Sequence, residues 1–145
     1  MTQMLTTERA VAIQAVRQAA TVCRAVQRRL VTADTLQKRD KSPVTVADFA
    51  SQAVICRALE DALGRDPVVG EEDARELRHD DQTALRQAVV RHVAEALDGD
   101  VTEDRVLDWI DRGGADARGE RYWTLDPIDG TKGFLRANSM PWPWR

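Results

Sequence analysis

The 145-residue sequence lacks any apolar run long enough to cross a membrane, and its start lacks the features of a signal peptide. A spanning helix needs roughly 20 largely apolar residues, and a secretory signal needs a basic segment before an apolar core. We therefore expect a cytoplasmic protein with no membrane partner. The length suits one domain with a substantial core.

Cysteine and histidine are scarce, with two residues of each. Cys23 and Cys56 fall within helical patterns beside apolar residues, so we expect reduced thiols in a core rather than a disulfide. His79 and His92 are too few and badly placed for a zinc site. We predict that both histidines lie at the surface of helices.

Positive charge is not in excess, because the net charge is -3. Proteins that bind nucleic acid usually carry a basic patch, so a nucleic acid polymer is not an expected partner. The glycine-rich residues 111–120 contain no GxGxxG pattern, and no nucleotide-binding loop is inferred from them.

The sequence does contain a strong helical pattern, in which apolar residues recur every three or four positions. The first predicted helix starts at Thr6 or Thr7 and has a stripe of Val11, Ala15, Ala19, Val22, Val26 and Leu30. Further helices are predicted over Val44–Leu63, from a cap at Asp80 or Asp81 to an end near Asp98 and Gly99, and from Thr102 through Ile110. Residues 31–43 are predicted to form a polar loop, and Gly64 stands where a left-handed helix cap belongs.

The chain is organised around a stretch that begins as a predicted strand at Tyr122–Leu125. Pro127 then forces a turn, because its ring fixes one backbone angle. That turn can aim the Asp126 and Asp129 carboxylates and the Ile128 carbonyl at one point, as hard cations such as Mg²⁺ require. An isolated Asp-x-x-Asp would more often be an exposed turn.

The segment Gly130–Gly133 follows this turn directly. Its free backbone N–H groups and its threonine hydroxyl suit a phosphate bound at the start of a helix or in a tight turn. The two halves of the stretch together therefore predict a site for a metal ion and a phosphate.

Two acidic motifs precede this stretch. Asp48 lies among apolar residues near the start of the second helix, where an acid can simply favour the helix dipole. A short apolar strand at residues 66–69 delivers Glu71 and Glu72 at its end, an arrangement that builds sites on rigid elements. Consecutive acids after a strand can also form a solvated turn.

In sequence order, Ser42–Asp48, Gly70–Glu72 and Trp123–Thr131 resemble the motifs of the inositol-monophosphatase-like family of Mg²⁺-dependent, lithium-sensitive phosphatases. The continuation Thr131–Arg136 looks most like the 3′(2′),5′-bisphosphate nucleotidase branch. The resemblance implies a layered α/β fold, with two long N-terminal helices packed on a largely antiparallel sheet and the site at strand ends. It also implies that a small phosphorylated nucleotide, 3′-phosphoadenosine 5′-phosphate, is hydrolysed.

The resemblance further implies two or three Mg²⁺ ions. One ion would be held by Glu71, Asp126 and the Ile128 carbonyl oxygen. A second would share Asp126 and use Asp129. Glu72 would stand behind these ligands and orient a water molecule.

For the substrate, the resemblance implies that Thr131, oriented by Asp48, positions the attacking water. The N–H groups of Gly130 and Thr131 would hold the phosphate. Lys38 and Lys41, in the polar loop, would close over the substrate. The competing substrate is an inositol phosphate. Two other classes stay open: a non-catalytic metal- or phosphate-binding fragment, and a helical packing domain with acidic turns. The oligomeric state is also open.

The resemblance divides the chain into two parts. Residues 1–136 are interpreted as the N-terminal part of a sugar-phosphatase-like domain, truncated before a second domain. Residues 137–145 hold two of the four tryptophans, alternating with prolines, and resemble no folded continuation. We interpret this tail as a frameshift product, the alternative being a hydrophobic contact segment. A chain ending there is expected to expose sheet edges and to be poorly stable and inactive.

Overall fold

The computed structural model describes residues 2–32, 42–64 and 66–128, with side chains over 5–29, 45–64 and 66–128. These residues form α1 (Thr2–Thr32), α2 (Ser42–Leu63), β1 (Val68–Val69), 3-10 helices at Glu76–Arg78 and Asp80–Gln82, α3 (Thr83–Leu97), α4 (Glu103–Asp111) and β2 (Trp123–Thr124). All four predicted helices are present. The predicted boundary between residues 136 and 137 lies outside the described residues.

Helix α2 lies in the middle of the fold and packs against α1, α3 and α4. Its wide apolar stripe predicted burial on more than one side, and this is confirmed. Residues 49–56 are all buried, including the polar Ser51 and Gln52. Over residues 49–56 the helix has no side that faces solvent, so a polar residue there must find partners in the interior.

Helix α1 covers one side of α2 with the predicted stripe. Ala15, Ala19, Val22 and Val26 are buried, while Arg9, Arg17, Arg24 and Arg28 are exposed. The helix begins at Thr2, earlier than predicted. Gln3, Met4 and Leu5 are good helix formers, so the hydroxyl residues Thr6 and Thr7 do not mark its start.

At the other three helix ends with a predicted cap, two of the predictions are confirmed. Gly64 ends α2 in the left-handed region, with φ +73°, and its N–H donates to Glu60 O at 3.0 Å. Thr102 caps α4, because its hydroxyl accepts from Arg105 N–H at 3.3 Å. The predicted cap of α3 at Asp80 or Asp81 is wrong. Those residues form a 3-10 helix, and α3 begins at Thr83.

The sheet differs from the expected one. β1 and β2 are parallel, with Val68 opposite Trp123 and Val69 opposite Thr124. An antiparallel bridge joins Val69 to Gly114 on the other edge of β1. The expectation of a largely antiparallel sheet is therefore not confirmed in the part of the chain that the structure describes, where a small parallel pair stands beside four helices.

The surface placement predicted for the histidines is wrong for His92. His92 is buried in α3, with 4% of its surface exposed, whereas His79 is exposed between the two 3-10 helices. The reason is helical spacing. His92 follows Leu85 by seven positions and Val89 by three, so it shares their inward face.

Both cysteines are free thiols. Burial raises the pKa of Cys56 to about 12 and also raises the pKa of Cys23, whose Sγ lies 3.3 Å from Ser51 Oγ. Thiols held protonated in this way are poor nucleophiles. None of the helices within 2–32, 42–64 and 66–128 is long and apolar enough to cross a membrane.

Candidate active site

Each of the two parallel strands is followed by an acid at the same end of the sheet. Backbone bonds run from Trp123 N–H to Pro67 O at 2.8 Å and from Leu125 N–H to Val69 O at 2.9 Å. Each strand is followed, two positions after its last residue, by an acid: Glu71 after β1 and Asp126 after β2. Parallel pairing therefore places these two acids at neighbouring strand ends.

The turn after β1 is fixed by backbone and side-chain bonds. Gly70 N–H donates to Gly113 O at 2.7 Å. Asp111 Oδ1 accepts from Ala74 N–H at 2.8 Å, and its other carboxylate oxygen pairs with Arg78 at 2.7 Å. The turn that carries Glu71 and Glu72 is thus anchored at both of its ends.

Asp48 reaches the same region from α2. Burial is the largest cause that raises its pKa, followed by the negative charges of Glu72, Glu71 and Asp126, and the pKa rises from 3.8 to about 6. Every charge that shifts this group is an acid from one of the two strand ends. The three motifs, which lie far apart in sequence, therefore share one electrostatic environment.

Glu72 belongs to the same environment. It is half-buried, and burial followed by the charges of Glu71, Asp73 and Glu76 raises its pKa. Glu71 itself is exposed, as is Asp126. We name Asp48, Glu71, Glu72 and Asp126 the acidic cluster.

Part of the predicted site is not brought together here. Within the described residues, no three His, Cys, Asp or Glu side chains are placed to hold one metal ion. Ile128, expected to offer its carbonyl oxygen, is half-buried and packs against the core. The other predicted site residues lie outside the described residues: Lys38, Lys41, Asp129, Gly130 and Thr131.

The chemistry of the acidic cluster fits Mg²⁺. All four side chains offer carboxylate oxygens, the donors that this hard cation prefers. The charges of Glu72, Glu71 and Asp126 add to burial in raising the pKa of Asp48. A divalent cation would compensate this negative charge, and Glu71 and Asp126, exposed at neighbouring strand ends, could contribute oxygens to it.

Sequence reasoning missed the residues that hold the site in place. Gln52 is fully buried, and its side chain bonds to the backbone of Glu72 and of Ile110. The glycine-rich connection also has a role, because Ala115 N–H donates to Val68 O at 3.1 Å on the free edge of β1. The available signal was a polar pair, Ser51 and Gln52, within the mostly apolar residues 49–56 of α2.

Comparison with known proteins identifies the class. The inositol monophosphatase family matches residues 4–141, and the chain belongs to this family. A 3′(2′),5′-bisphosphate nucleotidase of Schizosaccharomyces pombe is 43% identical over 141 residues, which cover 89% of this chain and 40% of the relative.

Two further relatives carry similar names. A 3′(2′),5′-bisphosphate nucleotidase 1 of Arabidopsis thaliana is 41% identical, over 83% of this chain and 37% of the relative. The 3′(2′),5′-bisphosphate nucleotidase of Dictyostelium discoideum is 36% identical, over 88% of this chain and 39% of the relative. The chain thus spans about two fifths of the length of these relatives.

Proposed function

We propose that this chain carries the metal-binding part of a Mg²⁺-dependent phosphatase that converts 3′-phosphoadenosine 5′-phosphate to AMP and phosphate. The observation that supports this most directly is the proximity of Glu71, Glu72 and Asp126 to Asp48, whose pKa their charges raise in addition to burial. Family membership and the names of the relatives support the same reaction class.

In this proposal the strand ends bind the metal. Glu71, Asp126 and the Ile128 carbonyl oxygen would hold one Mg²⁺, and Asp126 with Asp129 a second. Bound there, Mg²⁺ would supply charge neutralisation of the phosphate and a lowered pKa for water. Glu72, half-buried beside Glu71, would orient that water.

Asp48 would accept a proton. A carboxylate with a pKa of about 6 accepts a proton more readily near neutral pH than an ordinary aspartate does. The proposed donor is the Thr131 hydroxyl, which would take a proton in turn from the attacking water. The N–H groups of Gly130 and Thr131 would bind the phosphate oxygens, and Lys38 and Lys41 would approach the substrate from the polar loop.

The bond changes are those of a simple hydrolysis. The oxygen of water would bond to phosphorus while the bond from phosphorus to the ribose 3′ oxygen breaks. The proton that water loses would pass through Thr131 to Asp48 and then to solvent, and the ribose 3′ oxygen would take a proton from solvent. AMP and inorganic phosphate are released in equal amounts, with no phosphorylated residue on the protein.

Two alternatives have support of their own. The family that matches residues 4–141 is described as the inositol monophosphatase family, which favours an inositol phosphate as substrate. A non-catalytic metal- or phosphate-binding role is favoured by the geometry, since within the described residues no three acids are placed to hold one metal ion together.

The test is phosphate release by the purified chain. Contrary to the inactivity that the interpretation of residues 137–145 implies, this proposal predicts equal amounts of AMP and phosphate from 3′-phosphoadenosine 5′-phosphate when Mg²⁺ is present. It also predicts no release with a chelator and inhibition by Li⁺. Faster release from inositol 1-phosphate would favour the first alternative. Binding of Mg²⁺ without any turnover would favour the second.

A further inference from the structure

Gln52 has the most demanding environment of any polar side chain that the structure describes in α2. It is fully buried. Its Nε2 group donates to Glu72 O and to Ile110 O, both at 2.7 Å, and its Oε1 accepts from Glu72 N–H at 3.1 Å. The amide therefore satisfies both backbone groups of one residue, Glu72, as well as the last turn of α4.

The surrounding backbone is shaped around this amide. A Cβ atom added at Gly70 would lie 2.5 Å from Gln52 Oε1, and one added at Gly113 would lie 2.3 Å from Gln52 Nε2. Side chains at these two positions would displace the amide. Two glycines thus let the turn after β1 and the end of α4 approach Gln52 from either side.

The bonds of Gln52 lead to the acidic cluster. Gln52 lies one helical turn after Asp48 on α2, a rise of about 6 Å, and it holds the residue next to Glu71. A rigid helix therefore carries both an acid of the cluster and the group that fixes the turn bearing two others. A residue that only filled the core would not need an amide at this position, since a methionine has similar volume and no desolvation cost.

We propose that Gln52 is a positioning residue that sets the Mg²⁺ affinity of the acidic cluster by fixing the backbone of Glu72. This inference rests on the proposed function, because it assumes that Glu71 and its neighbours bind the metal. Groups that orient metal ligands typically change metal affinity or activity by about 10- to 100-fold when they are removed.

Two variants disrupt the contact between Gln52 and Glu72 in different ways. Gln52→Met keeps the volume of the side chain and removes all three hydrogen bonds. Gly70→Ala leaves Gln52 in the sequence and displaces its amide. The matched controls are Ser51→Ala, a buried polar residue of α2 that contacts Cys23, and Gly99→Ala, where the nearest atom to an added Cβ is 3.7 Å away.

Three measurements on the full chain separate positioning from general loss of stability. Amide hydrogen exchange at Glu72 reports on the backbone contact without metal. Titration with Mg²⁺ alone, followed by calorimetry, gives the affinity, and urea unfolding gives the stability. We expect both test variants to exchange faster at Glu72 and to bind Mg²⁺ at least about tenfold more weakly. Both controls should stay within about twofold of the wild type.

The outcomes distinguish this inference from the proposed function. If Gln52→Met and Gly70→Ala fold and bind Mg²⁺ as the wild type does, the inference is wrong and the proposed function stands. If the test variants bind weakly and the wild type binds Mg²⁺ without hydrolysing a phosphate ester, the inference stands and the proposed function fails. A wild type that does not bind Mg²⁺ would overturn both. If Gln52→Met does not fold, the Mg²⁺ affinity of Gly70→Ala relative to the wild type provides the test.

Discussion

The acids that precede the two strands contrast with the acids that follow them. Before the strands, Arg121 bridges Glu8 of α1, at 2.6 Å, and Asp66, at 2.5 Å. We name Glu8, Asp66 and Arg121 the arginine cluster. After the strands, the charges that shift the pKa of Asp48 are all negative.

The contrast shows two uses of acids in this fold. In the arginine cluster, a guanidinium compensates two carboxylates and ties α1 to the starts of both strands, which is a structural use. In the acidic cluster, burial and repulsion oppose ionisation, so the folded chain carries a cost at neutral pH. A cost of this kind is common at binding sites, because the ligand supplies the missing compensation.

The largest expected effect comes from the acidic cluster. Asp126→Asn should abolish Mg²⁺-dependent phosphate release, because a neutral amide is a poor replacement for a carboxylate that two Mg²⁺ ions would share. Phosphate release at saturating Mg²⁺ is the measurement. The control is Asp116→Asn, an exposed acid whose partner, Arg118, is also exposed. Full activity in Asp126→Asn would contradict the assignment of Asp126 as a ligand.

Breaking the arginine cluster should give the next largest effect, on stability rather than on activity. Arg121→Ala leaves the largely buried Glu8 carboxylate without its partner, so the urea midpoint should fall. Adding Glu8→Gln should recover part of the loss. Arg118→Ala, which removes an exposed ion pair, should change stability by no more than about 0.5 kcal/mol. An equal fall in the urea midpoint in Arg121→Ala and Arg118→Ala would show that the burial of Glu8 does not contribute to stability.

Removing a charge from the acidic cluster should instead stabilise the metal-free chain. The folded-state pKa of Asp48, about 6, exceeds the ordinary value of 3.8, so ionisation costs stability as pH rises through this window. Asp48→Asn should therefore raise Tm at about pH 7 and change it little at about pH 4. Asp61→Asn, on the exposed face of the same helix, is the control. An identical change in Tm at both pH values would contradict the shared environment.

The smallest expected effect is on the pH dependence of stability and comes from His92, which lies among the packed helices. Burial is the main cause that lowers the pKa of His92, and Arg29 adds to it. The unfolded chain then binds the proton more tightly, so stability is lost as pH falls below about 6.5. His92→Gln should reduce this loss in urea unfolding between about pH 8 and about pH 5. The measurement is best made in the Asp48→Asn background, because Asp48 contributes with the opposite sign. An unchanged pH dependence would show that His92 is not responsible.

The helices could be predicted from the sequence because their signals are local. The stripe from Val11 to Val26, the cap at Thr102 and the left-handed Gly64 all depend on residues within a few positions of one another. The predicted start of α3 was wrong although its signal was also local. The acids at Asp80 and Asp81 favoured a cap, but that segment forms a 3-10 helix before α3.

The candidate site was predictable as a set of residues, although not as an arrangement. Asp48, Glu71 and Asp126 were each identified from a motif, and the structure brings their charges together. Gln52 was not identified, because its importance depends on hydrogen bonds to Glu72 and Ile110, which are 20 and 58 positions away. A helical pattern describes which residues face inward and not what they meet there.

The sequence by itself therefore determined the four helices, the order of the acidic motifs and the family to which the chain belongs. The tertiary structure alone decided the parallel pairing of β1 with β2 and the contacts of Gln52. The physical reason is the sequence separation over which each interaction acts. Helix periodicity and capping act within a turn or two, whereas strand direction and buried hydrogen bonds depend on segments that meet only when the chain has folded.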